Sequence, residues 1–362
     1  MSDNIFVRLI RNKDVVIVNT QGENMPITIH DIAEKAGVSH TTVSRVVNNL
    51  GNVRPVTMEK VESAIAELNY IPNAYARGLS QKKTNVIGVV VPEIRNPFFG
   101  EIIEGITSIA DENDLNVLLF NTDECVLKEQ RALRLLQEHR IRGLIITPAT
   151  GDGTYNSEHL ESFKHFKIPI ILVDRVIPGS NLDGVFYDDI QSIYDATSAL
   201  LDEGHRNIAV LGGNKQLQLA KNRVAGYIQA FESKGIAYDE SNIYYGEFTK
   251  ECAYNLTLEL LERKNRPTAI VANNNMLSLG CLKALYEKKV QIPKDMAFIG
   301  YDRIEVLNII QSNITIVEKQ EYEYGQSAMQ LLLKRLENPK MTIQKTIMSA
   351  KLVKRGSEKL IK

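Results

Sequence analysis

The chain has 362 residues, 44% hydrophobic and 24% charged, which excludes a largely disordered protein and leaves room for a small module beside a large core. Lys and Arg total 43 against 44 Asp and Glu, a formal net charge of -1, so any surface for nucleic acid has to be local. Cys125, Cys252 and Cys281 lie too far apart for a Cys-x-x-Cys zinc site or a disulfide framework and suit core thiols in a reducing compartment.

The N-terminal segment holds two short apolar runs, Ile5 to Ile10 and Val15 to Val18, broken by Arg8, Arg11, Lys13 and Asp14. Neither is a secretory signal, and no run in the chain approaches the roughly 18 apolar residues of a membrane span, so a cytoplasmic protein without membrane contact is expected. The segment itself is expected to be poorly ordered, or at most a weak hairpin.

From Pro26 the pattern sharpens. Thr28-Ile29-His30-Asp31 has the spacing of a capping box, with a hydroxyl for orphan amides and an acid three residues on. Ile29, Ile32, Ala33 and Ala36 follow at helical spacing, Gly37 supplies a left-handed exit, and Ser39 caps a second helix through Val43, Val46 and Val47. Ala33 is small where two helices must cross and Val38 can plug the corner, as a helix-turn-helix requires. Thr57 is expected to cap a third helix, whose Val61, Ala64, Ile65 and Leu68 close a small core. The outward face of the second helix is polar: His40, Thr41, Thr42, Ser44, Arg45 and Asn48. Between Pro26 and Lys83 the charge is only +2, but phosphate contact also uses hydroxyls, amides and helix N-termini. On these residues alone, a three-helix bundle with a solvated face stays open as an alternative.

The run Ile27 to Asn48, read as Ile-Thr-Ile-His-Asp-Ile-Ala-Glu-Lys-Ala-Gly-Val-Ser-His-Thr-Thr-Val-Ser-Arg-Val-Val-Asn, closely resembles the headpiece of the lactose and galactose repressor (LacI/GalR) family of bacterial regulators. Asn73-Ala74-Tyr75-Ala76-Arg77-Gly78-Leu79 resembles that family's hinge helix, and the resemblance continues to the C-terminus. It implies base-reading positions at His40, Thr41 and Arg45, and phosphate contacts at Ser39, Thr42, Ser44 and Asn48, with Thr28 in the same DNA-binding set. It also implies that paired hinge segments carrying Asn73, Ala76 and Leu79 fold in the minor groove, Leu79 wedging between central base pairs. So short a segment containing Gly78 cannot hold a helix alone, so it should fold only on DNA. Family members begin two or three residues before the Thr28 box, so Met25 is the expected translation start, which the intact mass from the native host decides.

Beyond Thr84, apolar runs alternate with amphipathic stretches. Val86 to Val91, Val117 to Phe120, Leu144 to Ile146, Ile168 to Val173, Ile208 to Leu211, Ala269 to Ala272 and Met296 to Ile299 read as buried parallel strands of an α/β architecture. The span suits two similar lobes, and the resemblance implies a two-lobed, periplasmic-binding-protein-like core. The expected plan is an N-terminal extension at 1–25, a small all-α helix-turn-helix domain at 26–71, a hinge at 72–84 and the core at 85–362. Within the core, one lobe covers about 85–186 and 318–345, the other about 187–317 and 346–362.

Ligands of such sheets sit beyond the carboxyl ends of strands. Asn96 and Pro97 read as an N-cap and first helical residue, with Phe98 and Phe99 packed inside; the resemblance implies that these aromatics flank a ring-shaped ligand. Asp174 follows Val173, and Asp302 follows Gly300-Tyr301, both placed to accept hydrogen bonds from hydroxyls or ring nitrogens. The resemblance adds Arg223, reaching into the cleft, and Asn274, a cleft amide. The chain departs from the family at Asn275 and Arg303, where acids are common, and at Lys319-Gln320, where Gln-Pro is usual. The set suits a sugar or sugar derivative, and a nucleobase or sugar phosphate also fits it.

No Gly-x-Gly-x-x-Gly fingerprint, Walker loop, Gly-x-Ser-x-Gly elbow or metal-spaced His cluster is present in the sequence, so neither an enzyme nor a resident cofactor is expected. The expectation is a transcription repressor that binds a palindromic double-stranded operator as a homodimer, controlled by a sugar-like small-molecule effector. Two alternatives are a solute-binding protein without DNA function and a regulator whose core senses a partner protein.

Overall fold

The computed structural model describes residues 6–11, 14–19, 27–47, 51, 53–68, 70, 84–149 and 158–361. The chain divides into two units, Met1–Lys83 and Thr84–Lys362.

In the first unit, β1 (Phe6–Arg11) and β2 (Asp14–Asn19) pair antiparallel from Phe6↔Asn19 to Arg11↔Asp14. Of the two forms expected for this segment, poorly ordered or a hairpin, the chain takes the hairpin, in keeping with its run of β-branched residues. Three helices follow: α1 (Ile29–Ala36), α2 (His40–Val47) and α3 (Pro55–Glu67). At the start of α1, Asp31 Oδ2 accepts from both the Thr28 amide (2.7 Å) and the Thr28 hydroxyl (2.8 Å). The hydroxyl therefore donates to the acid, and the Thr28 amide holds the Asp31 carboxyl below its usual pKa. Gly37 sits at φ 65° and lets the amides of Gly37 and Val38 reach back to the carbonyls of Glu34 and Ala33. Ser39 Oγ accepts from the Thr42 amide at 3.2 Å and so caps α2. Thr57 does not cap α3. The helix starts three residues earlier, with Arg54 as its N-cap, because Pro55 presets the first helical φ and the Arg54 carbonyl takes the amides of Thr57 and Met58. Ile32, Ala33, Val43, Val46, Val61 and Ala64 form the buried core.

The second unit is two doubly covered sheets. The chain runs through β3 (Val86–Val91), α4 (Pro97–Glu112), β4 (Asn116–Asn121), α5 (Val126–Glu138), β5 (Gly143–Ile146), α6 (Glu158–His165), β6 (Ile170–Val173) and β7 (Asp183–Tyr187). It then crosses to the other lobe for α7 (Asp189–Asp202), β8 (Ile208–Gly213), α8 (Gln218–Ser233), β9 (Ile243–Tyr245), α9 (Lys250–Glu262) and β10 (Ala269–Ala272). That lobe continues through α10 (Asn275–Glu287), β11 (Ala297–Tyr301), α11 (Glu305–Ile309) and β12 (Thr315–Glu318). The chain returns for α12 (Glu321–Glu337) and β13 (Lys345–Met348) and crosses a third time into β14 (Lys351–Val353). The first sheet has the order β13-β7-β6-β5-β3-β4, all parallel. The second has β14-β12-β11-β10-β8-β9, with only β14 antiparallel. Because β13 pairs with β7 from Lys345↔Gly184 to Met348↔Tyr187, residues 346–348 and Tyr187 belong to the first lobe's sheet, not to the second lobe as expected.

Both faces of each sheet are buried, which explains the near-continuous apolar strands. In the first lobe Ile87, Val89, Ile145, Ile171 and Val173 face one core with α4 and α12, while Val90, Leu144, Ile146, Ile170 and Leu172 face another with α5. The second lobe repeats this, with Ile208 and Val210 toward α7 and α8, and Ala209 and Leu211 toward α9 and α10. Helices α4 and α12 meet at backbone distance. A Cβ on Gly105 would stand 2.0 Å from the Tyr322 carbonyl, and one on Gly325 would stand 2.0 Å from that of Ile102.

Candidate functional site

Two places carry chemistry, one in each unit. On α2, Ser39, His40, Thr41 and Arg45 are exposed, Thr42 and Ser44 are half-buried, and Val43 and Val46 turn into the core. His40 is held from α1: its Nε2 lies 2.8 Å from His30 Nδ1, with ring centroids 3.9 Å apart and planes at 68°. One of the two nitrogens must donate and the other accept, so the contact fixes the His40 ring orientation and leaves its Nδ1 for another partner. Ser39 Oγ also lies 2.9 Å from Thr42 Oγ1. Thr28, assigned to the DNA-binding set, is exposed at the start of α1 with its hydroxyl engaged by Asp31. Asn48, Asn73, Ala76 and Leu79 lie outside the described residues. A short helix with hydroxyls and an imidazole in its first turn and a guanidinium in its last can meet phosphate oxygens and base edges.

In the second unit a cleft of ≈ 570 Å³ lies between the two lobes. All seven predicted ligand residues line it: Asn96, Phe98, Phe99, Asp174, Arg223, Asn274 and Asp302. Asn96 caps α4 by accepting from the Phe98 amide at 3.1 Å, and the same oxygen accepts from Asn275 Nδ2 of the other lobe at 2.7 Å. Phe98 and Phe99 are buried and meet edge to face with centroids 5.1 Å apart. Asp174 and Asp302 leave their strands at φ 66° and 61°, a turn that swings each side chain beyond the strand end. The Asp174 amide donates to Tyr324 Oη at 2.8 Å, whereas its carboxylate has a distant ionic neighbour, Arg175 Nε at 4.0 Å. Burial raises the Asp174 pKa, against the opposing pull of Lys319, Arg223 and Arg175.

Arg223 is tied into the protein. Nε donates to Asp189 at 2.8 Å, Nη1 donates to the Asn273 carbonyl at 2.6 Å, and the guanidinium carbon sits 4.6 Å from the Tyr301 ring centre. Burial works against its charge, but Asp189 and its other neighbours outweigh this and raise its pKa. Asn274 caps α10 by accepting from the Leu277 amide at 2.7 Å. Asp302 Oδ2 accepts from the Asn275 amide at 3.2 Å, and its Oδ1 accepts no hydrogen bond.

Arg175, Glu124 and Lys319 also line the cleft. Arg175 is buried and grips Glu124 with two hydrogen bonds of 2.6 and 2.7 Å, while Nη1 also donates to the carbonyls of Pro148 and Ala149. Lys319, noted in the sequence only as a departure, is buried with its ammonium 3.4 Å from Asp302 Oδ1. The available signal was the one that found Asp174 and Asp302, a polar residue just after a strand, but β12 had not been read as a strand. Among the described residues, no group of three or more His, Cys, Asp or Glu is arranged to hold a metal ion, and no helix is long and apolar enough to cross a membrane.

Comparison with known proteins agrees with this division. The family model "Periplasmic binding proteins and sugar binding domain of LacI family" matches residues 84–356, and "Bacterial regulatory proteins, lacI family" matches 28–73. The chain is 35% identical over 312 residues to catabolite control protein A of Priestia megaterium, covering 86% of this chain and 92% of that protein. Among solved structures it is similar to the lac repressor dimer bound to operator and the anti-inducer ONPF, with TM-score 0.80 and 27% identity, over 92% of this chain and 100% of that one. It is also similar to the transcriptional regulator CelR in complex with cellobiose, with TM-score 0.69 and 26% identity, over 91% and 99%. The chain therefore belongs to the LacI family of bacterial regulatory proteins, a transcriptional regulator with a helix-turn-helix headpiece and a two-lobed effector-binding core.

Proposed function

We propose that this regulator represses transcription in the cytoplasm by binding a near-palindromic operator as a homodimer, and that a neutral, hydroxyl-rich small molecule in the cleft adjusts its operator affinity. His40, Thr41 and Arg45 read bases. Thr28, Ser39, Thr42, Ser44 and Asn48 contact phosphates, and Asn73, Ala76 and Leu79 act in the minor groove.

The observation that carries the effector half is the charge pairing inside the cleft. The charges of Arg175 and Arg223 are matched by Glu124 and Asp189, with Arg175 Nε left as a spare donor beside Asp174, whereas the Asp174 carboxylate and Asp302 Oδ1 have acceptor capacity to spare. Hydroxyl groups supply the missing donors without adding charge, and Phe98 and Phe99 offer apolar faces to a sugar ring. This favours a neutral sugar over a sugar phosphate.

The test is selection of an operator from random duplexes, followed by band-shift titration with and without a panel of neutral sugars. Allosteric coupling of typical size predicts about a 5- to 150-fold change in operator affinity with the matching sugar. Absence of any preference for one duplex over random competitor at low salt refutes the DNA half. An operator affinity that no sugar alters refutes the effector half.

A further inference from the structure

Lys319 follows β12, where the chain returns from the second lobe to the first, and its side chain is 1% exposed. Its Nζ stands 4.9 Å from the ring centre of Phe98, 4.7 Å from Tyr187 and 4.8 Å from Tyr301. Two of these rings belong to the first lobe and one to the second, and each is anchored. Phe98 abuts Phe99, Tyr187 Oη accepts the Gln320 amide at 3.0 Å, and Tyr301 Oη lies 2.8 Å from Ser192 Oγ. The negative faces of three rings offset the charge of the ammonium without saturating its three N–H donors. Its ionic neighbour, Asp302 Oδ1 at 3.4 Å, accepts no hydrogen bond either. A rigidly placed donor and a rigidly placed acceptor therefore stand side by side, both lining the cleft.

We propose that Lys319 is a specificity-determining residue that seats one neutral hydroxyl of the effector between its ammonium and Asp302 Oδ1, an inference that rests on reading the cleft as an effector site. A hydroxyl accepts from Nζ and donates to Oδ1, so it completes both. A phosphate or carboxylate accepts from Nζ but offers Oδ1 no proton and faces the carboxylates of Asp302 and Asp174. A protonated amine satisfies Oδ1 but meets a fixed like charge. The cleft thus discriminates by charge in both directions.

The test compares the full-length protein with its Lys319→Met and Lys319→Gln variants by calorimetric titration. The ligands are glucose, galactose and ribose, together with their terminal phosphates and 2-amino counterparts, and thermal unfolding confirms that each variant is folded. The wild type is expected to favour the neutral sugar over both charged analogues. Lys319→Met keeps the cage filled but removes the charge, so it should lose about 10- to 100-fold for the neutral sugar. It should also shift the neutral-to-amine affinity ratio toward the amine. Lys319→Gln can still donate, and should retain more of the neutral sugar's affinity than Lys319→Met. A purely structural role for Lys319 would lower affinity for all analogues by one factor and leave that ratio unchanged, which overturns the proposal alone. A wild type that binds none of the panel overturns the effector reading and this assignment with it.

Discussion

Glu321 offers a quantitative test of the electrostatics around the cleft. It is the first residue of α12, 5% exposed, and its Oε1 accepts from the Arg303 amide at 3.4 Å. Burial, and after it the charge of Asp302, raise its carboxyl pKa from 4.5 to about 7. The folded chain therefore binds a proton that the unfolded chain releases across this interval. The associated stability is complete below 4.5 and is lost as the pH rises through 7. At about 1.4 kcal/mol per pH unit, the wild type should lose about 2.5 kcal/mol from this group between pH 5 and pH 8. Glu321→Gln mimics the protonated form and does not titrate, so it should overtake the wild type in stability as the pH rises, with the two close together near pH 5. Urea unfolding at four pH values from 5 to 8, followed by far-UV circular dichroism because the chain has no tryptophan, measures the difference. Other titrating groups cancel between the two proteins. Parallel stability curves would show that Glu321 is ionised in the fold and that the electrostatic reasoning is wrong.

Arg223→Ala should abolish the effector response and also destabilise the core by about 3–5 kcal/mol, because it strands the buried Asp189 carboxylate. Adding Asp189→Asn should restore much of the stability, read by chemical denaturation, but not the response. Recovery of both would remove Arg223 from the effector site. His40→Ala should cost about 1–3 kcal/mol of operator affinity and relax the preference at one base pair of each half-site, with the salt dependence retained. His30→Ala should weaken the preference at that same base pair, since it frees the His40 ring. A loss spread evenly over all sequences contradicts both assignments. Gly325→Ala places a methyl 2.0 Å from the Ile102 carbonyl and should cost about 1–3 kcal/mol or more in stability; an unchanged unfolding temperature contradicts the close helix crossing.

Seven strands of the two sheets were legible as continuous apolar runs, six because they are buried on both faces and β4, a partly exposed edge strand, through its Val117 to Phe120 run. The missed ones are short or lie toward sheet edges. Asp183–Tyr187 holds a glycine, Ile243–Tyr245 has three residues, and Lys345–Met348 and Lys351–Val353 are partly solvated edge segments. Thr315–Glu318 is four residues with polar ends, and with it went the position of Lys319 at a strand end. Asn96, Phe98, Phe99, Asp174, Arg223, Asn274 and Asp302 all reach one cleft, since the two acids follow readable strands and the others came from the family pattern. What local sequence could not show is their second employment. Arg223 neutralises the buried Asp189, and Asn96, readable as a helix cap, also accepts from Asn275 of the other lobe, because such contacts join residues far apart in the chain. In the headpiece, Pro55 outranked Thr57 as a helix starter, while the hydroxyl of Thr28 turned to its acid partner.

The carboxamide contact between Asn96 and Asn275 has a bearing on how freely the core can flex. It joins the starting turns of α4 and α10, one from each lobe, through uncharged groups that water can solvate equally well once they part. Breaking a neutral bond of this kind costs about 0.5–1.5 kcal/mol, no more than the roughly 1–3 kcal/mol by which an effector of typical coupling favours one arrangement over the other. A latch so weak leaves the angle between the lobes to be decided by whatever occupies the space beside it. A salt bridge at this point would have resisted such control.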